Sequence, residues 1–272
     1  MYMDQEHYCI SVLEKFGMQN CTPVHTPMTA ERLSSKDQPE VCVIKDRDLY
    51  REQVGSLNYL ANWTRPDISY ACSELSRFMS NPGKSHLEAA KRVLRYLKGT
   101  TSLGLEYRNQ DTTMTNQLWG YVDADWAGNV DDRRSTSGYV LMLNGAAISW
   151  KSKRQPVVAL STAEAEFVAA STLVQEVIYL RRLLKTLGFP QDGPTRIFED
   201  NESCIAWAEG SVGGAERAKH MDLRKFFVHD AVKAKEIQLV GVSSAKNAAD
   251  IFTKSGIPGD SFKMHRKHIF GH

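Results

Sequence analysis

Two runs of strand-like residues joined by an Asn-Gly pair, with one long helical pattern behind them, constrain this chain most. Ser137 to Leu143 and Ala146 to Lys151 read as strands, and Asn144-Gly145 between them suits the left-handed positions of a tight hairpin turn. Trp119 to Asp125 is a third β-like run just upstream. Downstream, Leu173, Val177, Leu180, Leu184 and Leu187 recur at helical spacing within Ser161 to Leu187, and Gly188 then Pro190 stop that helix. Arg196 to Asp200 follows as a strand and Ser203 to Glu209 as a short helix. Lys219 to Lys235 is another helix, Ile237 to Val242 a strand, and Asn247 to Lys254 a final helical turn or two. Strands interleaved with helices in this order predict an α/β fold, a mixed sheet with helices packed on it.

Upstream the punctuation differs. Tyr8, Val12, Leu13 and Phe16 share one face of a helix over Gln5 to Phe16, and Thr22-Pro23, Thr26-Pro27 and Ser34 to Glu40 read as extended chain and loop. Residues 49–107 are expected to be helical. Thr64 with Asp67 and Ser85 with Glu88 are spaced for helix starts, Asn81-Pro82-Gly83 for a stop, and Gly99 for a closing residue. Leu87, Ala90, Leu94 and Leu97 line one face of the later helix, while Lys84, Lys91, Arg95 and Lys98 line another. That basic stripe suits a phosphate backbone, and equally the solvated face of an ordinary helix. The polar stretch Asn109 to Asn116 reads as a linker. The expected organisation is therefore 1–48, 49–116 and 117–272.

A length of 272 residues suits about two domains. With 42% hydrophobic and 24% charged residues, disorder of the whole chain is excluded. No apolar run approaches the roughly 20 residues of a membrane-spanning helix, so no membrane partner is expected. Asp4, Glu6 and His7 stand where a signal peptide would be apolar. Thirty-four basic against 32 acidic residues leave a charge of +2, so any nucleic-acid footprint must be local. Cys9, Cys21, Cys42, Cys72 and Cys204 form no C-x-x-C pair, which fits a reducing compartment and spells out no zinc module.

Four acids lie at the ends of the expected elements: Asp123 on the first strand, Glu166 early in the long helix, Asp200 at the end of the next strand, and Asp250 in the last helical segment. Gathered carboxylates repel one another unless a cation joins them, and hard oxygen ligands suit Mg²⁺ or Mn²⁺. For each acid taken alone, a surface or capping role is the ordinary alternative.

Several segments carry a resemblance. Tyr121-Val-Asp-Ala-Asp-Trp-Ala-Gly128, Arg134-Ser-Thr-Ser-Gly138, Ser149-Trp-Lys-Ser-Lys-Arg-Gln155 and Leu160-Ser-Thr-Ala-Glu-Ala-Glu-Phe167 resemble the RNase H domain of copia-type LTR retrotransposon polyproteins. So do Glu199-Asp-Asn201, Lys219-His-Met-Asp222 and Asn247-Ala-Ala-Asp-Ile-Phe-Thr-Lys254. Tyr50 to Leu60, Thr64 to Ser69 and Arg92 to Gly99 resemble the segment joining reverse transcriptase to RNase H, and Gln5 to Met28 the end of the polymerase domain. The resemblance implies an RNase H-like mixed five-stranded sheet preceded by a mostly helical connection.

It also implies that Asp123, Glu166, Asp200 and Asp250 are the catalytic and metal-binding acids. Asp123 and Asp250 would hold the ion that activates water, and Asp123, Glu166 and Asp200 the ion at the leaving 3′ oxygen. Glu164 and Glu166 lie about 200° apart on a helix, so only one faces the site. Ser161 and Glu164 are spaced as a capping box, which leaves Glu166. Asp125 shares a strand face with Asp123 and is read as a supporting or turn residue. Tyr121-Val-Asp-Ala-Asp125 is not the Tyr-x-Asp-Asp of a polymerase, because its acids are not adjacent. Polymerase acids are expected upstream of Met1, and no polymerisation is expected.

The implied activity is Mg²⁺-dependent endonucleolytic cleavage of the RNA strand of RNA–DNA hybrids, with two ions and Mn²⁺ as a substitute. The implied partners are the hybrid and the upstream reverse transcriptase domain. The implied setting is intracellular, a cytoplasmic virus-like particle with the nucleus as a further compartment. The alternative is a non-catalytic nucleic-acid-binding or assembly module from a truncated or domesticated element. Ser243 to Asn247 lacks the His that many RNases H carry there. His220 fits the family's pattern, and structural, substrate-facing and acid–base roles stay open for it. His265, His268 and His272 read as a surface cluster, and Asp131 to Arg134 as a charged hairpin tip.

Overall fold

The structure, a computed structural model, describes residues 1–36, 44–108, 116–210 and 219–272, with backbone alone at 44–45 and 219–222. All of the expected linker but Asn116 lies outside them. The amino-terminal elements are β1 (Tyr2–Met3), α1 (Glu6–Lys15), α2 (Ile44–Trp63), a 3-10 helix Pro66–Ile68, α3 (Ser69–Ser76), α4 (Lys84–Lys98) and β2 (Leu105–Glu106). Then come β3 (Trp119–Asp125), β4 (Thr136–Leu143), β5 (Ala146–Arg154), α5 (Thr162–Thr186), β6 (Thr195–Glu199), α6 (Glu202–Ala208), α7 (Lys219–Lys233) and β7 (Ile237–Gly241). Two 3-10 helices, Ser244–Lys246 and Ala248–Phe252, lead into α8 (Gly259–Phe270).

The sheet has five strands in the order β5-β4-β3-β6-β7. β3, β4 and β5 are antiparallel neighbours, while β6 runs parallel to β3 and β7 parallel to β6. Asn144 and Gly145 take φ of 50° and 91° in the hairpin turn between β4 and β5. Parallel neighbours need a long crossover, and α5 carries the chain from β5 to β6. This is the mixed five-stranded sheet expected from the sequence.

Both faces of the sheet are covered, which explains why Tyr139 to Leu143 reads as one unbroken apolar run. Tyr139 and Leu141 join Val122, Phe167, Leu173 and Val177 in the core under α5. Val140 and Met142 point the other way, into a core with Leu57, Leu75, Phe252 and Ile269. The amino-terminal helices thus pack on the face opposite α5. Tyr2–Met3 pairs with Leu105–Glu106, and the Trp150 indole donates to the Ala61 carbonyl at 2.8 Å. Among the described residues no helix is long and apolar enough to cross a membrane.

Three local expectations are corrected. Thr64 caps nothing but donates to Gln5 Oε1 at 2.7 Å, and Asp67 takes both arms of Arg65 at 3.0 and 2.9 Å. The helix starting at Lys84 is preceded by Gly83, not Ser85, because His86 Nδ1 accepts from the Gly83 N–H at 2.8 Å while its ring stacks on Phe78. Of the histidines near the end, only His265 departs from the surface reading: it is buried, while His268 and His272 are exposed, His268 meeting the Tyr121 hydroxyl at 3.2 Å and His272 lying 3.2 Å from Glu106. Phe262, His265 and Ile269 are the buried stripe of α8.

Arg65 and Asp67 are both buried, and Tyr96 donates to the same carboxylate at 2.5 Å. Truncating one member leaves the other as an uncompensated buried charge. Arg65→Met should therefore lower unfolding stability by about 3–5 kcal/mol in denaturant titrations. A loss within about 0.5 kcal/mol, as for an ordinary surface change, would refute this role of the pair.

Candidate active site

Three of the four expected acids converge. Each of Asp123, Glu166 and Asp200 offers a carboxylate oxygen, and the three oxygens lie within 4.8 Å of one another. β3 and β6 are parallel neighbours, so the end of β3 and the residue just past β6 come out on the same side. Glu166 reaches them from the first turns of α5, whose start is fixed by Ser161 Oγ accepting from the Glu164 N–H at 3.2 Å. Glu164 turns back to the Leu160 N–H at 2.8 Å, one residue before the position a strict capping box would use. Asp250 reaches the cluster's edge through Lys254, whose Nζ lies 2.6 Å from Asp250 Oδ1 and 3.1 Å from Asp123 Oδ1. Thr253 Oγ1 donates to Asp123 Oδ2. Asn247 anchors this segment by donating to the Val122 carbonyl at 2.9 Å.

The electrostatics oppose the arrangement. Burial raises Asp123 to about 6 against the pull of Lys254. Burial, then the charges of Glu199, Asp123 and Asp200, raise Glu166 further. Asp250 also lies above its ordinary value through burial. Glu166 Oε2 is buried without a hydrogen-bond partner. A buried carboxylate oxygen of that kind, beside two more carboxylates, fits a hard divalent cation.

Comparison with known proteins gives the family of the chain. The Pol polyprotein of transposon TNT 1-94 from Nicotiana tabacum is 39% identical over 276 residues, covering all of this chain and 20% of the polyprotein. That of transposon RE1 from Arabidopsis thaliana is 37% identical over 255 residues, covering 93% and 17%. The chain belongs to the retrovirus-related Pol polyproteins of copia-type transposons. It spans about a fifth of the length of these polyproteins. A secreted RxLR effector protein 161 of Plasmopara viticola is also 50% identical over 131 residues, covering 48% of this chain and 90% of the effector. Among solved structures, LC11-RNase H1 in complex with RNA/DNA hybrid aligns with half of this chain and 94% of its own at 16% identity and a TM-score of 0.39, too loose to carry an argument. No protein-family profile matches.

Other residues of this Pol segment fall in place around the acids. Glu199, quoted in a motif but assigned no task, is fully buried next to Asp200. Burial pushes its carboxyl up to about 8, and its Oε2 has no partner. Only its place at the end of a strand directly before Asp200 could have flagged it. Asp125 pairs with Arg32 at 2.9 Å, so a residue from the amino-terminal segment holds it. The hairpin tip is likewise tied down: Asp131 accepts from Ser34 Oγ at 2.7 Å and pairs with Arg77 at 3.0 Å. On α4, Lys84, Lys91 and Lys98 are exposed, but Arg95 is half-buried and donates to the Thr22 carbonyl at 2.8 Å. The His220 side chain lies outside the described residues.

Two outcomes follow for the metal-free protein. Glu164→Ala should cost about 0.5–2 kcal/mol by loss of the cap. Glu166→Gln removes an acid whose ionised form burial and neighbouring charges oppose, and should raise the melting temperature; a fall would contradict the repulsion. A carboxylate with a raised folded-state pKa binds its proton more tightly folded than unfolded. Stability in chelator should therefore fall as pH rises from 4.5, the unfolded glutamate value, to about 8, where Glu199 titrates. Mg²⁺ should flatten that decline in thermal melts, and an unchanged slope would contradict it.

Proposed function

We propose that this chain is a ribonuclease H that hydrolyses the RNA strand of RNA–DNA hybrids in a divalent-metal-dependent, endonucleolytic reaction. The observation that carries the reading is the convergence of Asp123, Glu166 and Asp200 oxygens within 4.8 Å, with Glu166 Oε2 buried and unpartnered. The family's sequence relationship supports it.

Asp123, Glu166 and Asp200 would hold one Mg²⁺, and Asp123 with Asp250 a second, Mn²⁺ being the natural substitute. When bound, such a pair of ions activates a water and stabilises the leaving oxygen of a phosphodiester. The chain's own part is to fix the donors. Asn247 ties the Asp250 segment to β3, and Ser161 sets the helix that presents Glu166. Burial keeps Asp123 from solvent. A hybrid suits such an enzyme because 2′-hydroxyls distinguish its two strands. The exposed Lys84, Lys91 and Lys98, with Arg95 and His220 as further candidates, would hold the backbone. The upstream reverse transcriptase domain of the polyprotein is the proposed neighbour.

Asp123→Asn keeps the shape and removes the ligand common to both proposed ions. It should abolish cleavage of a labelled hybrid while the circular dichroism stays native. Near-normal cleavage by the folded variant would end this assignment.

The basic stripe is tested separately. Arg95 is committed to the Thr22 carbonyl, so Lys84, Lys91 and Lys98 are the informative positions. Replacing all three by Gln should weaken hybrid binding and reduce the log–log salt slope by up to about 0.9 per lysine. An unchanged affinity and slope would return the stripe to a solvated helix face.

A further inference from the structure

The acids of the site are not equally balanced. Lys254 bridges Asp123 and Asp250, at 3.1 and 2.6 Å. Among the described residues no ion pair reaches Glu166 or Asp200, and Glu166 Oε2 lacks any partner. One half of the cluster therefore carries its own cation, and the other half has none.

Local structure puts that cation in place. Asn247 starts a 3-10 helix at Ala248–Phe252 by accepting from the Ala249 N–H at 3.1 Å. The Lys254 N–H then closes on the Asp250 carbonyl at 2.9 Å, so acid and amine lie one helical turn apart on the same side. The Lys254 side chain remains 35% exposed, against 2% for Asp123. A long flexible stem with an open side can move its ammonium into solvent while the acid beneath it stays buried.

We propose that Lys254 is a built-in counter-cation of the Asp123–Asp250 pair that a divalent ion must displace. The inference rests on the metal-dependent reading above and adds an order to it. The first ion enters among Asp123, Glu166 and Asp200, where Glu166 and Asp200 have no competing cation among the described residues and Lys254 contacts only one oxygen of Asp123. The second needs oxygens of Asp123 and Asp250 that Lys254 already holds, and binds only when the side chain swings out. A competent state populated a tenth of the time weakens apparent affinity about tenfold. The second ion's site is therefore weakened by about that factor while the first is not.

The test uses the full 272-residue chain and Mn²⁺ as the probe. Calorimetric titration of the wild type should resolve a tighter and a weaker ion. In Lys254→Met the weaker ion should tighten about tenfold, with the tighter one unchanged. The variant's melting temperature in chelator should fall, and Mn²⁺ should raise it by more than in the wild type. Acetylation of Lys254 in the wild type, read by mass spectrometry, should be slow in chelator and accelerate severalfold at saturating Mn²⁺. This last measurement needs no substitution and stands if the variant does not fold. Equal tightening of both ions would show a distant charge effect and overturn the displacement. Unchanged affinities, or Lys254 acetylation indifferent to Mn²⁺, would also overturn it. A wild type that binds no Mn²⁺ at all would bring down the metal reading itself. Binding and hybrid cleavage without any Lys254 effect would bring down the displacement alone.

Discussion

Buried carboxylates set side by side repel one another, and the rest of the molecule is arranged so that they stay where they are. Asp123 sits on the central strand of the sheet, with β4 on one side and β6 on the other. It is paired to Gly138 of β4, and the strand just before it is paired to β6 as well, up to Tyr121. Glu166 is held by a helix packed on β3 and β4, and Asp200 by its place just past the strand parallel to β3. A proton or a cation is the remaining way to relieve the repulsion. That is why burial shifts every resolved carboxyl of the cluster upward.

The segments legible in the sequence are those whose pattern is local. The Asn144-Gly145 hairpin, the long helix with its Ser161 cap, and the strand Trp119–Asp125 follow from turn chemistry, periodicity and capping that neighbouring residues supply. What could not be read depends on distant partners. Tyr2–Met3 forms a strand only because Leu105–Glu106 lies beside it, and two residues carry no period. Asp67 looked like a helix-starting acid until Arg65, Tyr96 and Thr100 came together around the same buried group. The stripe of α8 was present in the sequence, but its middle position is a histidine, which reads as polar while packing as core.

The same division runs through the site. Motif spacing singled out Asp123, Glu166 and Asp200, which the fold brings together. It gave no task to Glu199 or Lys254, because their importance lies in burial and in a salt link rather than in residue type. Nor did it show that the amino-terminal segment takes part. Arg32 holds Asp125, and Ser34 with Arg77 holds Asp131, so residues of the amino-terminal part brace the strand and hairpin beside the acids.

The second face of the sheet has a consequence for how this chain can be divided. Val140, Met142, Ala146 and Ala147 are covered by helices that precede β3 and by α8. Severed from those helices, the strands would present a broad apolar plane to water, of the kind that drives proteins to associate. A cut between those helices and β3 would thus carry a solubility penalty. The helices before β3 behave less as a tether than as the missing half of the sheet's own interior.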